Sequence, residues 1–455
     1  MKAYSEYKNS EIEWVKQIPS DWGICKLKFT ALGKDQCFID GDWIESKDIN
    51  TDGIRYLTSG NVGPLKYKEQ GNGYITEDTF RKLECKDVYE GDILISRLNE
   101  PISRACIVPN LNSRIVTCVD NVIYRPDCNR FNKKYIIYVL NCTPYTEKAN
   151  LSARGVTMHR VSRTMLGNFY IPVPSIAEQQ VIASFLDAKT KPIDDIIAKR
   201  EKQIKLLEEM KSTIISRAVT KGLNPDAQMK DSGIEWIGEI PEGWEMRKLK
   251  YILKSEKYNI KTGPFGTQLK GNDLREEGDV PVYNQRNVID NQFHSPSVFV
   301  TLDKANELAG FHTKPNDVLI TSRGTIGKAA ILPNGAKEGI LHPCLIALRI
   351  NQDLVNLKYL LYYINRFEGF AINVFLESNA TTIEVIYTDT LKNIFVTLPQ
   401  LEEQKRIVSY LDSETSKIDT RIAKRRKQIE LLQEYKQALI TAAVTGIIDV
   451  REYNS

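Results

Sequence analysis

Histidine is scarce, with 4 in 455 residues. His159 has no companion at ligand or triad spacing, so it reads as a polar surface residue. Cysteine is unevenly placed, since seven of the eight lie between Cys25 and Cys142 and only Cys344 falls in the second half. A disulfide framework repeated with the domains would not be so lopsided, and no C-x-x-C pair suggests zinc. Free thiols in a reducing cytoplasm are therefore expected. No run of eighteen apolar residues occurs and Met1 to Ser10 is polar, so neither a membrane span nor a secretory signal is expected. Excess charge of one sign is lacking too. The net value of +4 does not by itself argue for a nucleic-acid partner.

What is present is ordinary in kind but duplicated in order. The 42% hydrophobic and 26% charged content suits a globular protein, and the length requires two to four domains. The segment from Ile171 to Gly222 recurs from Val396 to Ile447, with about half of the positions matching without a gap at an offset of 225. The shared skeleton runs through Pro174, Glu178, Gln179, Leu186, Asp187, Ile-Ala-Lys-Arg200, Leu207 and Lys211. It returns as Pro399, Glu403, Gln404, Leu411, Asp412, Ile-Ala-Lys-Arg425, Leu432 and Lys436.

The segment reads as a long helix. Ile193, Ile197, Ile204, Leu207, Ile214 and Ala218 step by three and four, as do Ile418, Ile422, Ile429, Leu432, Leu439 and Ala443. One apolar seam flanked by charge is the pattern of a coiled coil. Arg200 and Arg425 interrupt it, a device that can fix register. Ser175 with Glu178 reads as a capping box and Pro192 as a bend or restart. Roughly 25 residues beyond that proline give a rod of about 40 Å. Neither seam can be buried alone. Antiparallel packing of the two helices on each other is the favoured solution, and packing of each on its own domain is the alternative.

A second repeat has an offset of 222: residues 8–28 recur as 230–250. Trp14, Pro19 and Trp22 correspond to Trp236, Pro241 and Trp244, which suggests a clasp packed on the domain it introduces. The regions between, about 29–170 and 251–395, read as strand-rich with short helices. Asp92–Ser96 and Asp317–Thr321 look like equivalent strands, and Lys133–Asn141 and Lys358–Asn365 like equivalent helices. Between these landmarks the halves diverge, as in Asp40-Gly-Asp-Trp-Ile44 against Thr262-Gly-Pro-Phe-Gly266. A common scaffold with different loops implies two related sites with different ligands.

These features together resemble the specificity subunit of a Type I restriction-modification system. The resemblance rests on the Pro-x-x-x-Glu-Gln openings, the Leu-Asp pairs, the Ile-Ala-Lys-Arg helices, the GIEWIGEIPEGW clasp and the GDILISR strand, and it covers essentially the whole chain. It implies an α+β protein of two pseudo-repeated mixed α/β target-recognition domains, separated by two long helices packed as an antiparallel coiled coil. The implied divisions are 1–170, 171–222, 223–395 and 396–455. Each globular domain would read one half of a split target in double-stranded DNA, while the helices set the gap and dock two methyltransferase subunits. Restriction subunits would join them. S-adenosylmethionine, ATP and Mg2+ would sit on those partners, with no cofactor on this chain. Half-sites on one face of B-DNA lie about 34 to 36 Å apart, commensurate with the rod. Two unlike readers would recognise an asymmetric, interrupted sequence.

Base reading favours Arg for guanine and Asn or Gln for adenine, whereas phosphates attract Lys, Arg and backbone amides. Candidates in the first half are Asn61, Lys66 and Lys68, then Arg97 and Arg104, then Arg154, Thr157, His159 and Arg160. In the second half they are Lys261, Gln268 and Lys270, then Gln285, Arg286 and Asn287, then Arg323, Lys328 and Thr382. For any one of these a solvated surface role is the commoner outcome, so the loops are better candidates than their members.

Catalytic signatures are missing. Asn224-Pro225-Asp226-Ala227 lacks the second proline and aromatic of an amino-methyltransferase site. Gly324-Thr-Ile-Gly-Lys328 has two residues between its glycines where a phosphate loop needs four, and no Ser or Thr follows its Lys. Gly71-Asn-Gly73 is a lone turn. Glu45-Ser-Lys47 with Asp40 and Asp42 faintly resembles a nuclease cluster but has no counterpart in the second half. The alternative of a self-contained restriction or methyltransferase enzyme carrying its own readers is disfavoured on these grounds.

Overall fold

The structure, a computed structural model, describes residues 2–33, 37–155, 159–378 and 385–453. The chain forms two compact units, Met1–Arg200 with Arg426–Ser455, and Glu201–Arg425. The division falls inside both long helices, Ile176–Lys221 and Leu401–Val444. Each unit therefore holds the beginning of one helix and the end of the other.

In the first unit the clasp is a hairpin of Tyr7–Asn9 and Gln17–Pro19. Gly23–Lys26 then pairs antiparallel with Tyr170–Val173, the strand that leads into the first long helix. A four-stranded antiparallel sheet has the order Phe38–Asp40, Asn121–Tyr124, Ile93–Ser96, Ala105–Ile107. A three-stranded sheet centred on Ile54–Leu57 pairs with Tyr74–Ile75 and, in parallel, with Ile115–Thr117. The second unit repeats the plan. Met229–Asp231 and Glu239–Pro241 form its clasp, and its four-stranded sheet runs Ile260–Thr262, Leu345–Leu348, Val318–Thr321, Ala329–Ile331.

Each core is built from the same parts. Trp22, Tyr135, Ile182, Leu186, Leu439, Ala443 and Val444 pack together in the first unit. Trp244, Tyr359, Ile407, Leu411, Ala218 and Val219 do so in the second. Burial of each such large apolar side chain contributes about 1.5–3 kcal/mol, so the clasp tryptophans belong to the core. Both long helices end in a glycine at φ +74, Gly222 and Gly446, a left-handed cap that only glycine adopts cheaply. A Cβ there would come within 3.1 Å of Trp244 or 2.3 Å of Pro19, so the clasp closes over each helix end.

The helices are antiparallel in each unit. In the second, Arg425 Nε donates to Gln203 Oε1 at 3.0 Å, and Lys211 reaches Asp419 at 2.6 Å. In the first, Lys436 reaches Asp194 at 2.6 Å, while Phe185 meets Tyr453 edge-on at 5.0 Å. Of the seam residues, Ile193, Ile418, Ile422 and Leu439 are buried, whereas Ile197, Ile204, Leu207, Ile214, Ile429 and Leu432 are half-buried. Two helices alone leave one side of a seam wet.

The first helix begins at Ile176, directly after the expected Ser175 cap, and the start of the repeated segment before it is extended because Pro172 and Pro174 hold the residues before them in that form. Two expectations for this helix need correction. Pro192 does not break it, and the helix is continuous to Lys221. The capping box is half formed. Ser175 Oγ accepts the Glu178 N–H at 3.2 Å, but the Glu178 carboxylate accepts the Tyr4 hydroxyl at 2.7 Å instead of reaching back.

Candidate nucleic-acid interface

The repeated polar residues form the frame. Gln179 Nε2 donates to Pro174 O at 2.9 Å and its Oε1 accepts the Asn132 N–H at 2.9 Å. Gln404 repeats this with Pro399 O and the Asn356 N–H, both at 2.8 Å. Asp187 accepts the Tyr138 hydroxyl, and Asp412 that of Tyr362, both at 2.8 Å. The bonds to Asn132, Asn356, Tyr138 and Tyr362 tie a short helix, Lys133–Asn141 or Leu357–Arg366, to the beginning of a long one. A buried glutamine deprived of such partners would cost about 1–3 kcal/mol.

Over this frame the candidate loops of the first unit converge. Leu98 bridges Arg160, and the Asn99 N–H donates to His159 O at 3.1 Å. Arg104 joins the third loop. Its guanidinium donates to the carbonyls of Ser59, Val62, Leu98, Asn99 and Pro101 at 2.8–3.2 Å. Those contacts engage all three of its nitrogens, so Arg104 builds the loops and is not free to read a base. Arg97 is also corrected. It is 5% exposed, donates to Val161 O at 3.2 Å and pairs with Asp40 at 3.0 Å. Asp40 also takes Arg163 at 3.1 Å, and Asp120 takes Arg160 at 3.0 Å. Burial lowers the Arg97 pKa while Asp40 opposes that shift.

Asn61 and Asn287 are corrected as a pair. Each is buried and closes the same turn, accepting the N–H of Thr58 or of Asn284 at 2.9 Å. Asn61 also donates to Lys68 O and Gln70 O, and Asn287 to Gln292 O. Asparagine at these places shapes a loop. Lys68, Arg154 and His159 remain exposed, with His159 Nδ1 3.8 Å from Glu100. Lys66 is exposed but pairs with Asp194 of the long helix at 2.8 Å.

In the second unit, Gln285 Nε2 donates to Thr325 O at 3.3 Å, which brings two candidate loops together. The Ser322 N–H donates to Cys344 O at 2.8 Å, and the Gly263 N–H to Leu345 O at 3.0 Å, so the third loop springs from the same strand end. Lys261 is enclosed by the Tyr258 and Phe311 rings at 4.1 and 3.9 Å, and its ammonium donates to Gly310 O. Burial lowers its pKa. Gln268, Lys270, Arg286, Arg323 and Lys328 are exposed. Thr157 and Thr382 lie outside the described residues.

Arg323 follows Ser322 as Arg97 follows Ser96, yet its setting differs. Where the first unit has Asp40 at the end of its edge strand and Asp120 before the next, the second has Thr262 and Cys344. No spacing in the sequence announces that Asp40, Asp120 and Arg163 gather around Arg97, because they come from three distant segments. The suspected nuclease cluster dissolves in the same way. Asp42 binds Lys86 at 2.7 Å and Asp40 binds arginines. Among the described residues no group of three or more His, Cys, Asp or Glu could hold a metal, and no helix is long and apolar enough to cross a membrane.

A duplicated frame that presents two unlike sets of basic and amide-bearing loops defines a modular recognition protein. The chain belongs to the Type I restriction-modification DNA specificity family, whose domain profile matches residues 36–206 and 241–431, and it is a non-catalytic specificity subunit. It is similar to the putative type I restriction enzyme MjaX specificity subunit of Methanocaldococcus jannaschii, with 25% identity over 98% of this chain and 97% of that protein. The type I restriction enzyme MjaVIII specificity subunit of the same organism is 28% identical over 70% of this chain and 71% of its own. The fold matches, at a TM-score of 0.67 and 18% identity, a chain from a structure addressing complex assembly and conformational transition of the type I R-M system. That match covers 95% of this chain and 99% of the other.

Proposed function

We propose that the first unit's globular domain reads one half of an asymmetric, interrupted duplex target and the second unit's domain reads the other. The long helices scaffold two methyltransferase subunits and, through them, restriction and translocation subunits. S-adenosylmethionine, ATP and Mg2+ act on those partners, in the cytoplasm. The observation that carries the reading is the contrast between frame and loops. Gln179 and Gln404 make the same bonds, as do Asp187 and Asp412, while the loops above them keep only a turn-closing Asn and a Ser-Arg pair and differ in most other residues and in charge pairing. Selection for one partner seen twice would preserve the frame, and selection for two different half-sites would diversify the loops. Among the candidates, Lys68, Arg154, Arg160, Gln268, Lys270, Arg286, Arg323 and Lys328 keep side chains at or near the surface, so they carry the proposed contacts.

The test is a domain exchange in the complex with its partners. Replacing residues 29–170 by the corresponding region of another family member should change one half of the methylated sequence and leave the other half and the gap unaltered. Sequencing methylated bases in the host reads this directly. A change in both halves would refute one reader per half.

A further inference from the structure

Two exposed aromatic rings occupy equivalent places in the two units. Trp43 is 67% and Phe265 is 79% exposed, values at odds with the usual burial of large aromatic side chains. The offset between them is 222, the same as between the clasps. Each follows an edge strand of the four-stranded sheet, Phe38–Asp40 or Ile260–Thr262, and a glycine pressed on the backbone. A Cβ on Gly41 would lie 2.3 Å from Cys118 O, and one on Gly263 2.2 Å from His342 O. The Gly41 N–H donates to Asn121 O at 2.9 Å, as that of Gly263 does to Leu345 O at 3.0 Å.

Neither ring hangs on a loose loop. Asp42, before Trp43, is buried and accepts both the Lys86 N–H and its ammonium, at 2.8 and 2.7 Å. Ile44, after it, packs on a small core. Pro264, before Phe265, is buried, and the Phe265 N–H is held by Gln268 Oε1 at 3.1 Å. The backbone is fixed on each side while the ring is left in water, an arrangement that costs solvation without stabilising the fold. Glu45, whose carboxylate pKa is lowered first by Lys47 and less by Trp43, leaves the ring 67% exposed.

Both turns adjoin the candidate loops. Asp40, three residues before Trp43, pairs with Arg97 and Arg163. His342, against which Gly263 rests, lies two residues before Cys344, whose carbonyl accepts the Ser322 N–H at the base of the Arg323 loop.

We propose that Trp43 and Phe265 are paired aromatic probes that press a ring against the base stack of duplex DNA, one in each half-site. The inference rests on the reading of the two domains as DNA readers. The ligand is a stacked base step, since apolar side chains wedge between such steps and an aromatic face stacks on any base. That tolerance explains why the position keeps a ring but not its identity, while the neighbouring polar residues diverge completely.

The test uses the complex with its methyltransferase subunits and a duplex of the methylated target, carrying 2-aminopurine at adenine positions of one half-site or the other. Trp43→Ala and Phe265→Ala should each weaken binding about ten-fold. Each should abolish the 2-aminopurine fluorescence change in its own half-site alone, and Trp43→Phe should preserve both. Unaltered affinity and fluorescence in the alanine variants would overturn the inference. So would loss of methyltransferase assembly with the fluorescence change intact, which would make the rings protein contacts. A wild-type complex without sequence-specific binding would instead remove the underlying reading as well.

Discussion

His342 shows how a loop position can be set by chemistry inside the fold. Its Nδ1 accepts the Cys344 N–H at 3.2 Å and lies 2.9 Å from the Cys344 thiol, and burial lowers its pKa. A lowered folded-state value means that the unfolded chain binds the proton first. The stability linked to His342 is therefore complete above the unfolded value of about 6.5 and is lost as pH falls toward the folded value, by up to about 1.4 kcal/mol per pH unit. The loss of melting temperature from pH 7.5 to 5.5 should be smaller in His342→Gln than in wild type, and equal losses would contradict the assignment. None of this was legible in the sequence, where His342 carried no motif. The reverse holds for Gln179, Asp187 and their partners, which repetition exposed at once. Repetition marks what both units need in common, namely bonds of the frame. It says little about Arg97 or Arg104, whose roles depend on Asp40 and on carbonyls brought near by folding.

The long helices were the most legible elements, because a seam at steps of three and four needs no tertiary knowledge. Their register was less so. Arg200 and Arg425 stood out as breaks, and Arg425 does bind Gln203. Lys211 and Lys436 stood out only as repeated positions, and folding gives them their partners, since they reach Asp419 and Asp194, each at 2.6 Å. Both lysine side chains are 14% exposed, so the ammonium is largely withdrawn from water and needs its carboxylate. Asp194 carries the mark of this: burial raises its pKa, but Lys436 and Lys66 outweigh that and hold it below the usual carboxylate range. Reversing one charge, Lys211→Asp, should destabilise the second unit by about 1 kcal/mol or more, read as a lower urea midpoint. Adding Asp419→Lys should recover most of that loss. Failure of the double variant to recover would show that the pair does not set the register. Pro192 was misjudged because its cost is local. It removes one donor on the exposed side, where water can satisfy the freed carbonyl, while seam packing continues on the other side.

Duplication at two offsets, 225 for the helices and 222 for the clasps, makes the chain a repeat of clasp, reader and helix whose units exchange helix ends. Tyr135 of the first unit bonds Val444 O, at the end of the second helix, and Tyr359 of the second unit bonds Val219 O, at the end of the first. A helix therefore begins in one unit's core and finishes in the other's, and its length is shared between them. On the proposed reading, the gap in the DNA target should follow helix length. Inserting one heptad after Arg200 and another after Arg425 adds about 10.5 Å to each helix. Because seven residues nearly complete two turns, the seam and the Lys–Asp pairs keep their faces. The methylated target should keep both half-sites while its gap grows by up to about three base pairs at 3.4 Å each. An insertion in only one helix displaces Lys211 from Asp419 or Lys436 from Asp194, and should lower stability without yielding a defined new gap. If the double insertion left the gap unchanged, the helices would not be the element that measures it, and the spacing would have to be fixed by the partner subunits instead.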